Sequence, residues 1–425
     1  MKAPCPVLTR RNLLSLAVST FLAGCGGGGT DAVGTPPAPV TGSGSGNSGT
    51  LGGTTGGTAG NTGDTSGTNT AGAPGTGGTG MTASGSISGF GSVVINGIRF
   101  DDTLAAIRVD GLAAQSTDLR LGMVAVAQGV RSAVSTTPLP TAIANQIEVW
   151  KTAQGTVSNV ANMGSFVQFS VAGLTVQTDV GTAFEGLSAA SGVTHGQTLA
   201  VWALQENTEA TRWRATRIAV VAPSLTVTSG LFVSQGSTVN GWQLKTDGDT
   251  TVLAGLQNGQ LVRVEGMSNA SGTELKVLSV TRSGLTTYTQ QDMELEGVVT
   301  TPLTNGRFML SGVTVDVGAL RASAVPPISV GARLEVKGSL QNGVLTATEI
   351  ELEDDDTLKD VEIEARIERY TSLSDFVLRS QRCNASQVQR IENGTASDLK
   401  VGVKVKVKGF KSGDVLMVTQ LEIDD

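Results

Sequence analysis

Hydrolytic or metal-dependent chemistry needs His, Cys, Asp or Glu converging on one place. His195 is the only histidine of the 425-residue chain, which leaves no multi-histidine metal site and no choice of base for a Ser-His-Asp triad. It lies just before Gly196 in a loop and reads as a solvated turn residue. The cysteines are Cys5, Cys25 and Cys383. Cys383 follows Arg379 and Arg382, a setting that can lower a thiol pKa, but a free thiol in a strand or turn is the commoner case. The first two cysteines lie near the N-terminus, so no disulfide framework is available. Glu349, Glu351, Glu353, Asp354, Asp355 and Asp356 could gather calcium. No EF-hand or glycine-rich calcium spacing accompanies them, which favours a solvated linker. Asp247-Gly248-Asp249 is a turn before it is a ligand set. The expectation is a protein that is not an enzyme, with no cofactor and no metal site.

Nucleic-acid chemistry needs basic and aromatic surfaces. Lys404, Lys406 and Lys408 with Phe410 and Tyr370 invite that reading on a small β-barrel. The whole chain nevertheless has a net charge of −7 and only 4% aromatic residues. Residues 359–425 carry 11 basic and 11 acidic side chains, with Glu362, Glu364 and Glu368 alternating along the opening strand. A mixed-charge outer face, protective where that strand is an edge, is the favoured account, and nucleic acid is disfavoured.

The elements that position these residues repeat. Gly402-Val403-Lys404-Val405-Lys406-Val407-Lys408-Gly409 alternates valine with lysine, the pattern of a half-buried strand. Related copies begin at Gly122, Gly196, Gly259 and Gly331, at intervals of 74, 63, 72 and 71 residues. Inward positions of this organising strand are Leu199/Val201, Val262/Val264, Leu334/Val336 and Val405/Val407. The first copy offers only Ala125/Ala127, which leaves a shift of one residue open, and the second has Ala203 where the others have a second glycine.

Each repeat opens with a small residue and an apolar one two positions on: Gly85/Ile87, Gly155/Val157, Gly230/Phe232, Gly297/Val299 and Ala365/Ile367. A hairpin follows, plainest where Val93, Ile95, Gly97, Ile98 and Phe100 match Phe308, Leu310, Gly312, Val313 and Val315. Asn96-Gly97 suits a type I′ turn. The same chemistry at Asn240-Gly241 and Asn305-Gly306 is placed one hairpin earlier, and at Asn342-Gly343 one later.

In the closing strand apolar residues step by two, three and two, as in Leu345, Ala347, Ile350 and Leu352. A step of three flips the faces of a regular strand, so four repeats predict a shared β-bulge. The third repeat keeps only Leu275, Val277 and Val280 of that pattern. Five strands in about 65 residues suit a five-stranded OB-like barrel better than an immunoglobulin sandwich of roughly 100. The fold class is therefore all-β: a tandem array of five small OB-like barrels at 84–151, 152–222, 223–285, 290–356 and 359–425. Short links suggest a semi-rigid string of beads.

The N-terminus carries an address rather than a core. Lys2, Arg10 and Arg11 precede an apolar run from Leu13 to Ala23, too short to span roughly 30 Å of hydrocarbon and suited to the h-region of a signal peptide at 1–24. Between Gly26 and Gly80, 21 of 55 positions are glycine and the only charges are Asp31 and Asp64, so residues 25–83 read as a disordered tether. Its r.m.s. span is about 40 Å. Such a tether would let the repeats clear a lipid surface or wall polymer, or is sequence that merely tolerates drift.

Leu22-Ala23-Gly24-Cys25 closely resembles the lipobox of bacterial lipoprotein precursors. The resemblance implies cleavage between Gly24 and Cys25 and lipid modification of Cys25, giving a membrane partner through the N-terminus. Gly26 rather than Asp after that cysteine is similar to the pattern of release to the outer membrane. Thr9-Arg10-Arg11-Asn12-Leu13-Leu14 also resembles a twin-arginine export motif, while any signal peptide wants basic residues there. The repeats themselves resemble a bacterial domain of unknown function found in tandem in exported lipoproteins, a family that brings no catalytic residues to transfer. The expectation is an exported, lipid-anchored envelope protein, periplasmic or surface-facing, acting as a stalk or interaction scaffold with an envelope protein or polysaccharide as partner. The alternative is a lipoprotein that holds polysaccharide or nucleic acid on its barrel faces.

Overall fold

The computed structural model describes residues 80–132, 139–282, 285, 289–354 and 360–424. The signal peptide, Gly24, Cys25 and residues 26–79 of the tether lie outside the described residues, as do Asp355 and Asp356, whereas residues 80–83, expected in the disordered tether, belong to the first repeat's opening strand, with Met81 and Ala83 buried. Among the described residues there are strands and short 3-10 turns but no α-helix.

The fourth repeat shows the plan. Its opening strand Gln290–Val298 pairs antiparallel with the organising strand Arg333–Gln341, which pairs antiparallel with the closing strand Val344–Leu352. The hairpin Arg307–Leu310 and Val313–Asp316 completes the circuit: Val313–Asp316 runs parallel to the closing strand, and Leu310 bridges back to Val299. Numbered in sequence, the strands follow the order 1-2-3-5-4-1, a closed barrel with one parallel contact. Period-two side chains then line a core of Leu295, Phe308, Val315, Val336 and Ile350. Organising strands Val124–Arg131, Thr198–Gln205, Leu261–Ser268 and Lys404–Ser412 take the same place in the other repeats.

Register agrees across the five. The small residue of each opening strand faces the first inward residue of the organising strand: Gly85 with Ala125, Gly155 with Leu199, Gly230 with Val262, Gly297 with Leu334, and Ala365 with Val405. Ala125 and Ala127 are both buried, so the first repeat is not shifted.

The bulge is present in all five repeats. Asn145, Thr216, Leu278, Thr348 and Thr419 are skipped in the pairing of organising and closing strands. The third repeat shares it in full; its Leu278 is exposed, so apolar periodicity is blurred there. Threonine at the bulge ties the two strands together through its hydroxyl, since Thr216, Thr348 and Thr419 donate to the carbonyls of Trp202, Lys337 and Lys408 at 3.1–3.2 Å.

The turn joining the second and third strands has two successive residues of positive φ in every repeat: Asn96-Gly97, Ala172-Gly173, Asn240-Gly241, Ser311-Gly312 and Arg379-Ser380. Asn240-Gly241 therefore occupies the same hairpin as Asn96-Gly97, not the one before it. The fifth copy is strained, because neither Arg379 nor Ser380 tolerates φ of 50° and 59° as glycine does. Ser380→Gly is expected to raise stability by about 1 kcal/mol, read as a higher denaturant midpoint with an unchanged slope.

The barrels are not separate beads. The opening strand of the first repeat, Gly80–Phe90, pairs parallel with Asp292–Leu295 of the fourth and with Glu362–Ile363 of the fifth. Its sequence, Ser84-Gly85-Ser86-Ile87-Ser88-Gly89-Phe90-Gly91, is suited to that hub position. A Cβ on Gly89 would press on the Glu362 carbonyl, and one on Gly91 on the Glu364 side chain. Repeats one and five also share a core, in which Phe90, Ile363, Phe376 and Val407 belong to one cluster. The second and third repeats join through Gln154 and Val227, and Trp242 Nε1 donates to the Ala172 carbonyl at 2.9 Å.

Candidate functional site

Charged side chains concentrate where repeats one, two, four and five meet. Arg333 stands on the outer face of the organising strand of repeat four, where a lone barrel would leave it in water. Packing of its neighbours leaves it buried. Its Nε donates to Glu296 Oε1 at 2.6 Å, and its two Nη atoms reach Asp179 of repeat two at 3.5 Å and the Ser86 hydroxyl of repeat one at 3.1 Å. The Ser86 amide and hydroxyl both donate to Glu296 Oε2, at 2.6 and 2.9 Å. Gly85 leaves the room for this approach, since a Cβ there would meet Asn96 Oδ1 and Glu296. Lys411 comes in from repeat five and donates to the Gly181 carbonyl of repeat two. Burial pushes its ammonium down to about 8.

Two further contacts repeat the device. Arg217 of repeat two donates to the Leu121 carbonyl of repeat one, pairs with Glu185, and lies 5.7 Å over the Trp202 ring. Arg263 of repeat three, 2% exposed, donates to Asp110 of repeat one and to the Lys151 carbonyl at 3.0 Å each, and stacks 5.2 Å over Trp150. Arginine suits these places because its planar fork makes several bonds at once and is weakly hydrated. What the arrangement can do chemically is hold five barrels in one geometry. The sequence pattern missed it, since each partner stands on a polar strand face and its mate is remote in sequence; the run of small residues at 84–91 was the available signal.

The residues singled out from sequence fall elsewhere. Lys404 lies 2.6 Å from Glu364 and 2.5 Å from Asp424, while Lys406 and Lys408 lie 3.2 and 3.0 Å from Glu362. The basic stripe is thus matched by carboxylates. Phe410 is exposed, but Tyr370 packs on Phe376 with ring centroids 6.3 Å apart. Glu362 is not on a free edge, because repeat one pairs alongside it and Arg99 reaches it. Cys383 is buried inside the fifth barrel; burial pushes its thiol far up, so it is inert rather than activated. His195 is exposed in its turn. Asp249 caps a 3-10 turn at Thr251, and Asp247 pairs with Lys276 at 2.5 Å. Glu349 and Glu351 lie 3.5 and 3.7 Å from Lys337. Among the described residues no group of three or more His, Cys, Asp or Glu side chains is arranged to hold a metal ion.

Comparison with known families matches residues 154–219, 226–275, 296–351 and 364–421 to DUF5666, described as a domain of unknown function. The matches fall on repeats two to five and together span just over half of the chain. The first repeat has the same strand order outside the matched ranges. No curated protein matches the sequence. Among solved structures, drosophila Unr CSD456 is similar over 48% of this chain and 97% of its own, at 12% identity and a TM-score of 0.12, a likeness that carries no argument about function.

Proposed function

Because the chain belongs to the DUF5666 family, whose domain has no known function, its role has to be argued from its own residues, and we propose that it is a lipid-anchored protein of the bacterial cell envelope acting as a non-enzymatic interaction scaffold. The observation that carries this reading is Leu22-Ala23-Gly24-Cys25 at the end of a basic and then apolar N-terminus, followed by a long glycine-rich tether. Lipidated Cys25 would hold the membrane, and the tether would set the five-barrel body off it by tens of ångströms. Strand pairing between repeats favours a compact scaffold over an extended stalk. Lys404, Lys406 and Lys408, the candidate nucleic-acid face, pair with Glu364 and Glu362, which favours an envelope protein or polysaccharide as partner.

Fractionation of cells carrying the full chain or its Cys25→Ala variant tests the reading. The native chain is expected in the membrane fraction, labelled by a palmitate analogue, with the variant unlabelled and released. Equal distribution of the two, with no label on either, would sink it. Protease added to intact cells then distinguishes a surface-facing body, which is cut, from a periplasmic one, which is cut only after the outer membrane is opened.

A further inference from the structure

Repeat one carries a strand that the other described repeats lack. Its residues Ala106–Val109 run parallel to the closing strand Thr141–Val149, as Ala183–Glu185 does in repeat two and Ile391–Glu392 in repeat five. In repeat one the chain then turns at Asp110-Gly111, both of positive φ, and Leu112–Ala114 comes back antiparallel along the outer side of Ala106–Val109. The far side of this added strand is open: Leu112 is 74% exposed, and Ala113 is exposed as well.

Which backbone groups face that open side follows from the turn. A two-residue turn makes Val109 and Leu112 a hydrogen-bonded pair, so Arg108 and Ala113 form the next, non-bonded one. The amide and carbonyl of Ala113 therefore point away from the hairpin. Proteins blunt such an edge with charge, proline or a bulge, and Leu112-Ala113-Ala114 carries neither charge nor proline. Other repeats hold both ends of the strand. Asp110 accepts from Arg263 of repeat three and from the Lys151 amide at 3.0 Å each, and Arg379 of repeat five donates to the carbonyl and hydroxyl of Ser116. The edge is thus fixed before anything binds it, which lowers the cost of ordering it in a joint.

On one face of the edge, Leu112 stands two residues before Ala114, which lines a shallow cavity with Ala105, Ile107 and Ser116. On the opposite face Arg108 reaches over Gly111 and donates to its carbonyl at 3.2 Å, while at the far end Asp118 accepts from the Gln115 amide at 2.8 Å. Arg108 and Asp118 are both exposed. An antiparallel copy of the same edge, centred on Ala113, sets Leu112 opposite Ala114 and Gly111 opposite Gln115. Each leucine then meets the other copy's cavity, each arginine is brought to the other copy's Asp118, and the two Ala113 residues exchange both backbone hydrogen bonds. The edge complements itself in shape, charge and hydrogen bonding.

We propose that a second copy of this chain is the partner of Leu112–Ala114, the two edges joining antiparallel about a two-fold axis through Ala113 so that the sheet of repeat one continues into the next molecule. This contact goes beyond the scaffold reading and does not depend on how, or whether, the chain is anchored.

Sedimentation equilibrium of the full chain carrying Cys5→Ala and Cys25→Ala tests it, and a two-copy species is expected to build with concentration. Ala113→Pro removes one outward amide from each copy without touching the bonds of the hairpin, and Leu112 keeps the extended form preferred before proline. The dimer dissociation constant should rise roughly ten- to hundredfold, the scale of two lost hydrogen bonds, while the dilute chain keeps its unfolding midpoint. Should that variant fail to fold, Leu112→Lys replaces it and should weaken the dimer by about tenfold or more, since it sets a charge against an apolar wall. In the same chain, whose Cys383 is buried, Ala113→Cys should form a disulfide between copies under mild oxidation, because facing Cα atoms about 5.5 Å apart suit the bond. Ser271→Cys, exposed on repeat three, should not. A single-copy mass at every concentration would overturn the proposal and leave the edge to a strand of another protein. A dimer indifferent to both edge substitutions, or cross-linking at 271 as fast as at 113, would overturn it too.

Discussion

Arg333→Ala is expected to cost the folded chain about 3–5 kcal/mol, the scale for removing one partner of a buried ion pair. The loss comes from what stays behind. Glu296 keeps its burial and its two bonds from Ser86 but loses its counter-charge, and Asp179 loses a cation that joined repeat two to repeat four. Removing both charges should hurt less than removing one. Arg333→Met with Glu296→Leu is therefore expected to recover much of the loss, since an apolar pair of similar volume often does as well as a buried salt bridge. Denaturant unfolding followed by tryptophan fluorescence reads both variants. A single-variant cost under about 1 kcal/mol, the value typical of surface pairs, would mean that water reaches the junction and that it does not hold the repeats.

Gly338→Ala should cost about 1–3 kcal/mol, the range for forcing extra volume into a packed place. At the bulge the organising strand crosses so close to the closing strand that a Cβ on Gly338 would collide with the Thr346 carbonyl, as one on Gly409 would with that of Met417. The second repeat has alanine at this position, which makes the prediction sharper. Around Ala203 the Thr152 hydroxyl accepts from the amide at 3.0 Å and donates to the carbonyl at 3.3 Å, so a side chain from the opening segment is tied to both backbone groups of that residue. Ala203→Gly should then change stability by less than about 1 kcal/mol, while Gly338→Ala and Gly409→Ala both lower the unfolding midpoint clearly. Equal tolerance at all three places would show that the bulge is softer than its geometry implies.

These two effects differ in how far they could be read from residues alone. The barrel was legible because its signals are local: alternation in Val405 and Val407, a step of three between Ala347 and Ile350, Asn96-Gly97 at a hairpin. Leu278 hid the third bulge, since a leucine counts as core in any apolar pattern even when it points to water. The junction was opaque for a different reason. Arg333, Glu296 and Asp179 each stand on a polar face, and nothing in their own neighbourhoods says that another barrel covers it. The lysines at 404, 406 and 408 misled in the opposite way: as a stripe they look like a phosphate surface, while the glutamates that neutralise them lie on a strand some 40 residues earlier.

In a solenoid each repeat touches only its neighbours, so copies can be added or lost with little consequence for the rest. Gly80–Phe90 removes that freedom. The strand that begins the array is bonded to its fourth and fifth members, and Ser86 meets Glu296 across 210 residues of chain. Loss of a copy is therefore not neutral: a chain lacking its fifth barrel would leave Phe90 and the core it shares with Ile363, Phe376 and Val407 open to water.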